Sequence, residues 1–159
     1  MSAEVQDILV RKNMLVEAPL QHVFTVFTER FNSWWPRAHH IGTDNFTAMI
    51  EPRVGGRWFE RGDDGSECDW GRVLAWEPPT RVLLSWDLGT DWKYDPGLGT
   101  EVEIRFVAET KTRTRVLLEH RKLERYGDQA EAMRAIFDSD GAWVTMLNAF
   151  KAVAEREAA

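Results

Sequence analysis

The sequence predicts an α+β fold in which a curved antiparallel β-sheet wraps around a long C-terminal α-helix. Three observations lead to this class. An amphipathic helix follows a first short strand, apolar residues then recur with a period of two from residue 46 to 121, and the helical period returns after residue 127. Closely spaced strands must run antiparallel, because parallel neighbours need long crossover connections. With 159 residues, we expect a single domain spanning 1–159.

The predicted elements follow one another with clear boundaries. Residues Ile8 to Val16 form a strand, and Pro19 then opens a helix. One face of that helix carries Leu20, Val23, Phe24, Phe27 and Phe31. The later strands are Phe46–Pro52, Arg57–Arg61, Glu67–Trp76, Arg81–Leu88, Thr100–Glu109 and Thr114–Arg121. Asp128, with Glu131 three residues later, is expected to cap a helix, and the final helix follows an interruption at 139–141 and runs to about Arg156.

Composition and charge exclude several functions. The net charge of −6 disfavours nucleic-acid binding, and no apolar run is long enough to cross a membrane. The single cysteine, Cys68, rules out an intramolecular disulfide and a cysteine-based zinc site, and it fits a reducing, cytoplasmic setting. We expect no metal and no cofactor. A homodimer is compatible with the sequence, although no motif specifies one.

Tryptophan is unusually frequent, with eight residues in the chain. A helix is about 10–12 Å across, whereas six strands at about 4.8 Å spacing span more than twice that width. One helix therefore covers such a sheet incompletely. We expect a gap that is either plugged by large side chains or left as a cavity for a small hydrophobic molecule.

Several stretches resemble a known superfamily. They are 16–19 with Val23-Phe24, Glu51-Pro-Arg-Val-Gly-Gly-Arg-Trp58, Trp70-Gly-Arg-Val-Leu74, Trp76-Glu-Pro-Pro79, Val82 to Trp86, Thr114 to His120, and Gly141-Ala-Trp143. The chain resembles the START, polyketide-cyclase and birch-pollen-allergen (SRPBCC) proteins, in the branch similar to the C-terminal domain of the activator of the ninety-kilodalton heat-shock chaperone ATPase. The resemblance implies a helix-grip (START-like) fold. It also implies hydrophobic-ligand binding, polyketide cyclisation or a co-chaperone role.

Three side chains are candidates for acid–base chemistry: His120, Glu60 and His40. His120 shares the inward face of its strand with Val116 and Leu118, so it is either a satisfied core histidine or a polar group in the ligand cavity. Glu60 lies in a strand among aromatic rings, and His39 and His40 occupy a polar loop that we expect at the cavity mouth. The ligand-binding residues are predicted to be Trp35, His40, Trp58, Glu60, Trp70, Trp86, Trp92, Phe106, His120, Trp143 and Leu147.

Three functions follow from these features. The favoured one is a small hydrophobic-ligand-binding domain. The alternatives are a cyclase- or hydrolase-like enzyme that uses His120, and a co-chaperone-like module that acts through its surface. The segment Thr90–Gly99 is either a lid over the cavity or a mobile hairpin tip.

Overall fold

The structure is a computed structural model that describes residues 8–158, and it confirms the predicted α+β helix-grip class. Within those residues a seven-stranded antiparallel sheet has the order β1-β7-β6-β5-β4-β3-β2. The strands are β1 Val10–Val16, β2 Phe46–Ile50, β3 Arg57–Gly62, β4 Glu67–Glu77, β5 Arg81–Trp86, β6 Thr100–Thr110 and β7 Arg113–Arg121. The α-helices are α1 Leu20–Thr28, α2 Phe31–Trp34, α3 Ala130–Asp138 and α4 Thr145–Ala158.

The sheet bends along β4, a strand of 11 residues. The first half of β4 pairs with β3 and the second half with β5, and both pairings contain a register shift. Gly71 lies between the two halves, where an added Cβ would stand 1.8 Å from the backbone oxygen of Ser85. Only glycine fits this approach. The irregular pairing bends the strand and gives the sheet its concave face.

The concave face is covered by more than the C-terminal helix. Helix α1 contacts both α4 and β6. Phe27 joins the layers, since its ring centroid lies 5.6 Å from that of Phe106 on β6 and 5.1 Å from that of Phe150 on α4. At this end of the concave face, large side chains fill the space between sheet and helix, which is one of the two outcomes expected from the sequence. Helix α1 supplies part of that filling, in addition to α4.

Two local predictions need correction. The first helix ends at Thr28, because Arg30 leaves helical geometry with φ −109° and ψ 33°, and Phe31 opens the separate helix α2. Asp128 does not cap a helix: residues 123–129 form a 3₁₀ segment, and α3 begins at Ala130 without a side-chain cap. The final helix is also preceded by a π-helical turn at Asp140–Val144.

The alternation in β7 is confirmed, since Val116, Leu118 and His120 are all at most 2% exposed. Among residues 8–158, no helix combines the length and the apolar character that a membrane span requires.

Candidate functional site

A cavity of about 430 Å³ lies at the other end of the concave face. The segment after α2 contributes Trp35, Ala38, His39, His40 and Ile41. The sheet and the connection from β5 to β6 contribute Trp70, Trp86, Leu88 and Trp92. The junction of α3 and α4 contributes Ile136, Phe137, Ser139, Gly141, Ala142 and Met146. Five of these side chains are tryptophan or phenylalanine rings, so the wall is mostly apolar and aromatic.

The segment from residue 35 to 42 is held in place by side-chain hydrogen bonds. The indole nitrogen of Trp35 donates to the carbonyl oxygen of His39 at 2.7 Å, which closes a turn directly after α2. The guanidinium of Arg37 donates to the carbonyl oxygen of Phe46 at 2.8 Å and to the side chain of Asn32 at 2.9 Å. The wall on this side therefore has a defined shape.

Glu60 anchors the same segment from β3. Its carboxylate accepts hydrogen bonds from the backbone nitrogens of Ile41 at 2.5 Å and Gly42 at 3.0 Å, and from the indole nitrogen of Trp70 at 3.0 Å. The side chain is 1% exposed, and no lysine or arginine of the described residues pairs with it. Glu60 thus uses its oxygens to fix two parts of the wall, and it does not line the cavity itself.

His120 lies one layer behind the wall. Its Nδ1 accepts a hydrogen bond from the indole nitrogen of Trp143 at 3.1 Å, and its Nε2 has no partner within residues 8–158. Complete burial lowers the pKa of His120 to about 3, so the ring is neutral at pH 7. Because Nδ1 accepts the hydrogen bond from Trp143, the single ring proton is on Nε2. The rings of Phe137 and Trp86, with centroids 4.3 Å and 5.0 Å away, separate it from the cavity.

Among residues 8–158, two titratable side chains line the cavity, His39 and His40, both at the mouth. Burial lowers the pKa of His39, and a backbone contact with Gly141 across the opening acts in the opposite direction. The His40 ring is fixed by its neighbours, since Nδ1 lies 2.9 Å from the carbonyl oxygen of Gly42 and Nε2 lies 3.3 Å from the carboxylate of Asp44.

The predicted ligand-binding residues divide into three groups. Those brought together around the cavity are Trp35, His40, Trp70, Trp86 and Trp92. Those directly behind its wall, in contact with lining residues, are Trp58, Glu60, His120 and Trp143. Phe106 and Leu147 are buried and do not line the cavity, and the ring of Phe106 packs against Phe24 and Phe27 instead.

Other lining residues were missed, and most come from the junction of α3 and α4. The interruption of the helical pattern at Ser139-Asp140-Gly141 was the available signal, because a bend at that point turns Phe137 and Ala142 towards the same space. Trp92, in the predicted lid segment, lies on the cavity wall with φ of 60° and is 40% exposed.

Comparisons with known proteins identify the family and match the fold. The family model described as Activator of Hsp90 ATPase homolog 1-like protein matches residues 17–155. The structure of Txn09, an anthrahydroquino-gamma-pyrone synthase complexed with SUM, is 37% identical, with a TM-score of 0.65, and the match covers 96% of this chain and 99% of that one. CalC from Micromonospora echinospora, a self-sacrificing resistance protein, is 29% identical, with a TM-score of 0.69, over 95% and 96% of the two chains.

A protein from Nitrosomonas europaea shares the fold, with 14% identity and a TM-score of 0.60 over 94% of this chain and 96% of that one. A search of curated proteins found no match.

Proposed function

Because the chain belongs to the family of Activator of Hsp90 ATPase homolog 1-like proteins, and because its concave face encloses a cavity walled by aromatic rings, we propose that it binds a small, largely aromatic molecule there. The observation that carries this proposal is the cavity itself. Its volume of about 430 Å³ falls in the range of small-molecule sites. Rings and aliphatic groups dominate the wall, and no carboxylate, lysine or arginine of the described chain lines it.

The wall is also ordered by internal bonds, which favours binding. The Glu60 carboxylate and the Trp35 indole fix the segment 35–42 without any ligand. A preformed site loses little conformational entropy when it binds, so its apolar contacts appear as affinity. The relatives support the same use of the fold, since the Txn09 structure is that of a complex with SUM.

The test is a binding titration with a cavity-blocking variant and a matched control. The probe is 9-fluorenone, a rigid three-ring molecule, followed through quenching of tryptophan fluorescence. Ala38 is exposed at the mouth and lines the cavity, so Ala38→Trp places an indole in the opening. Ala135, exposed on α3, does not line the cavity, and Ala135→Trp adds the same group elsewhere.

Saturable quenching is expected for the wild type and for Ala135→Trp, with affinity at least about tenfold lower for Ala38→Trp because the apolar contact area is lost. Absence of saturable quenching in the wild type would refute the proposal. Equal affinity of the two variants would place any binding outside this cavity.

A second candidate is catalysis in the same cavity, favoured by the 37% identity with a synthase over nearly the whole chain. The acid–base groups would be His39 and His40, which line the cavity, and the fully buried His120 would take no part. A bound substrate that is converted by the wild type, and bound but not converted by His39→Asn or His40→Asn, would establish this function. Unaltered substrate after prolonged incubation with the wild type would refute it.

A further inference from the structure

The connection from β5 to β6 forms a short hairpin beside the cavity. Leu88 and Tyr94 pair as an antiparallel bridge. Gly89 closes the turn between them, because its backbone nitrogen donates to the carbonyl oxygen of Lys93 at 2.9 Å and its own carbonyl oxygen accepts from the backbone nitrogen of Trp92 at 2.9 Å. Trp92 is therefore the last residue of a three-residue loop at the tip of this hairpin.

The base of the hairpin is anchored in the protein interior. Asp87 is buried, its carbonyl oxygen accepts from the backbone nitrogen of Asp95 at 2.7 Å, and its carboxylate accepts from the backbone nitrogen of Gly99 at 2.9 Å. The hydroxyl of Tyr126 donates to the carbonyl oxygen of Leu88 at 2.6 Å. The tip is therefore carried on a fixed base, which sets the position of Trp92 before any ligand binds.

Trp92 has an unusual backbone conformation for a bulky residue. Its φ of 60° lies in the left-handed region, which glycine adopts easily and a residue with a large side chain adopts only at a cost in energy. Glycine is the usual residue at this position of a three-residue hairpin loop. Among the residues that the structure describes, Lys122 is the one other non-glycine residue with positive φ. The turn alone therefore does not account for a tryptophan at its tip.

The surroundings of the Trp92 indole point to a ligand. The side chain lines the cavity, and its ring stands nearly perpendicular to that of Phe137, with the centroids 6.3 Å apart. It nevertheless stays 40% exposed, whereas six of the other seven tryptophans are at most 5% exposed. Ile136 also lines the cavity and is 45% exposed. Two large apolar side chains at the opening are thus only partly covered by protein, and a hydrophobic ligand would complete their burial.

We propose that Trp92 is the residue that retains the ligand: the hairpin tip holds its indole against the outer side of a bound aromatic molecule and thereby slows the release of that molecule. This inference rests on the proposed ligand-binding function and deepens it, because it assigns ligand release to one side chain. Unfavourable backbone conformations persist where a function requires them. Replacing Trp92 with a smaller residue therefore separates folding from binding, since the contact with the ligand is lost while the turn is not harmed.

Two variants, Trp92→Gly and Trp92→Ala, test the proposal in two assays. Both lack the indole, and they differ in the Cβ atom that makes the left-handed conformation unfavourable. In urea unfolding, the midpoint of Trp92→Gly is expected to lie above that of Trp92→Ala and to equal or exceed that of the wild type.

The second assay measures release of the ligand. When the complex with 9-fluorenone is diluted in a stopped-flow instrument, tryptophan fluorescence should recover at least about tenfold faster in both variants, because the apolar contact with the indole is lost. Lys122→Gly is the matched control, since it relieves the same backbone conformation at a residue that does not line the cavity. Its release rate should stay within about twofold of the wild type.

The possible failures are distinguishable. Release rates of the two Trp92 variants that match the wild type would overturn the retaining role and leave the binding function standing. A urea midpoint of Trp92→Gly clearly below that of the wild type would show that the indole serves the fold, and it would also overturn the proposal. Absence of saturable quenching by 9-fluorenone in the wild type would overturn the binding function, and the retaining role with it.

Discussion

Acidification should destabilise this protein through His120, and the size of the effect follows from its environment. The ring is completely buried, its pKa is lowered to about 3 by that burial, and its ordinary value is 6.5. Above pH 6.5 the side chain is neutral in both the folded and the unfolded chain, so it adds no pH dependence. Below pH 6.5 only the unfolded chain binds the proton, which stabilises the unfolded state progressively until about pH 3.

The magnitude is about 1.4 kcal/mol per pH unit over this window. Between pH 6.5 and pH 4.5 His120 alone should therefore lower the free energy of unfolding by about 2.7 kcal/mol. Carboxylates also begin to titrate in this range, so the wild type must be compared with a variant that lacks only this proton site.

His120→Asn is that variant, because the amide does not titrate and its oxygen can accept the hydrogen bond from Trp143. Urea unfolding of both proteins at pH 7.0 and pH 4.5 gives the four free energies that are needed. Any loss of packing in the variant enters at both pH values and cancels. The stability difference between the two proteins should move by about 2–3 kcal/mol in favour of the variant at pH 4.5. A difference that stays constant between the two pH values would show that folded His120 accepts a proton readily, and the assignment of a dry, neutral ring would be wrong.

Two further predictions concern the shape of the site. Glu60→Gln replaces one accepting oxygen with a donating NH₂ group that faces N–H groups, so it should lower the free energy of unfolding by about 2 kcal/mol in urea titrations and speed amide exchange at Ile41 and Gly42. Unchanged exchange at these amides would show that Glu60 does not hold the segment. Gly71→Ala should destabilise the fold by at least about 3 kcal/mol, because the new methyl group meets backbone 1.8 Å away. Gly141→Ala, where nothing lies within 4 Å, should change stability by less than about 1 kcal/mol in the same assay, and similar losses in the two variants would contradict the geometry.

The strands were predictable because each has a local signature. The alternation of side chains along β7 placed Val116, Leu118 and His120 on one face of the sheet. Because that face is mostly apolar, it was expected to be the buried one, and it is. The fold class followed from the order of the elements and from the resemblance to a known family. The sheet topology confirms the fold class, and the family match confirms the resemblance. The co-chaperone role stays a prediction, because it rests on the resemblance alone.

The position of the cavity was not predictable in the same way. The alternation of side chains along β6 shows that Phe106 points inward. It does not show that α1 crosses above Phe106 and packs on its ring. Phe137 and Ala142 reach the cavity through a bend between two helices, and a break in periodicity does not define the angle of a bend. Composition indicated many rings, and only their packing decides which of them fill the interior and which surround a space.

The most direct test of the binding site uses the tryptophans themselves, because each indole N–H gives its own signal in a ¹H–¹⁵N NMR spectrum. During titration with 9-fluorenone, the signals of Trp35, Trp70, Trp86 and Trp92 should move, since these side chains line the cavity. The signals of Trp34 and Trp76, which do not line it, should stay in place. Shifts confined to Trp34 and Trp76, or no shift at any indole up to the solubility limit of the ligand, would contradict the account.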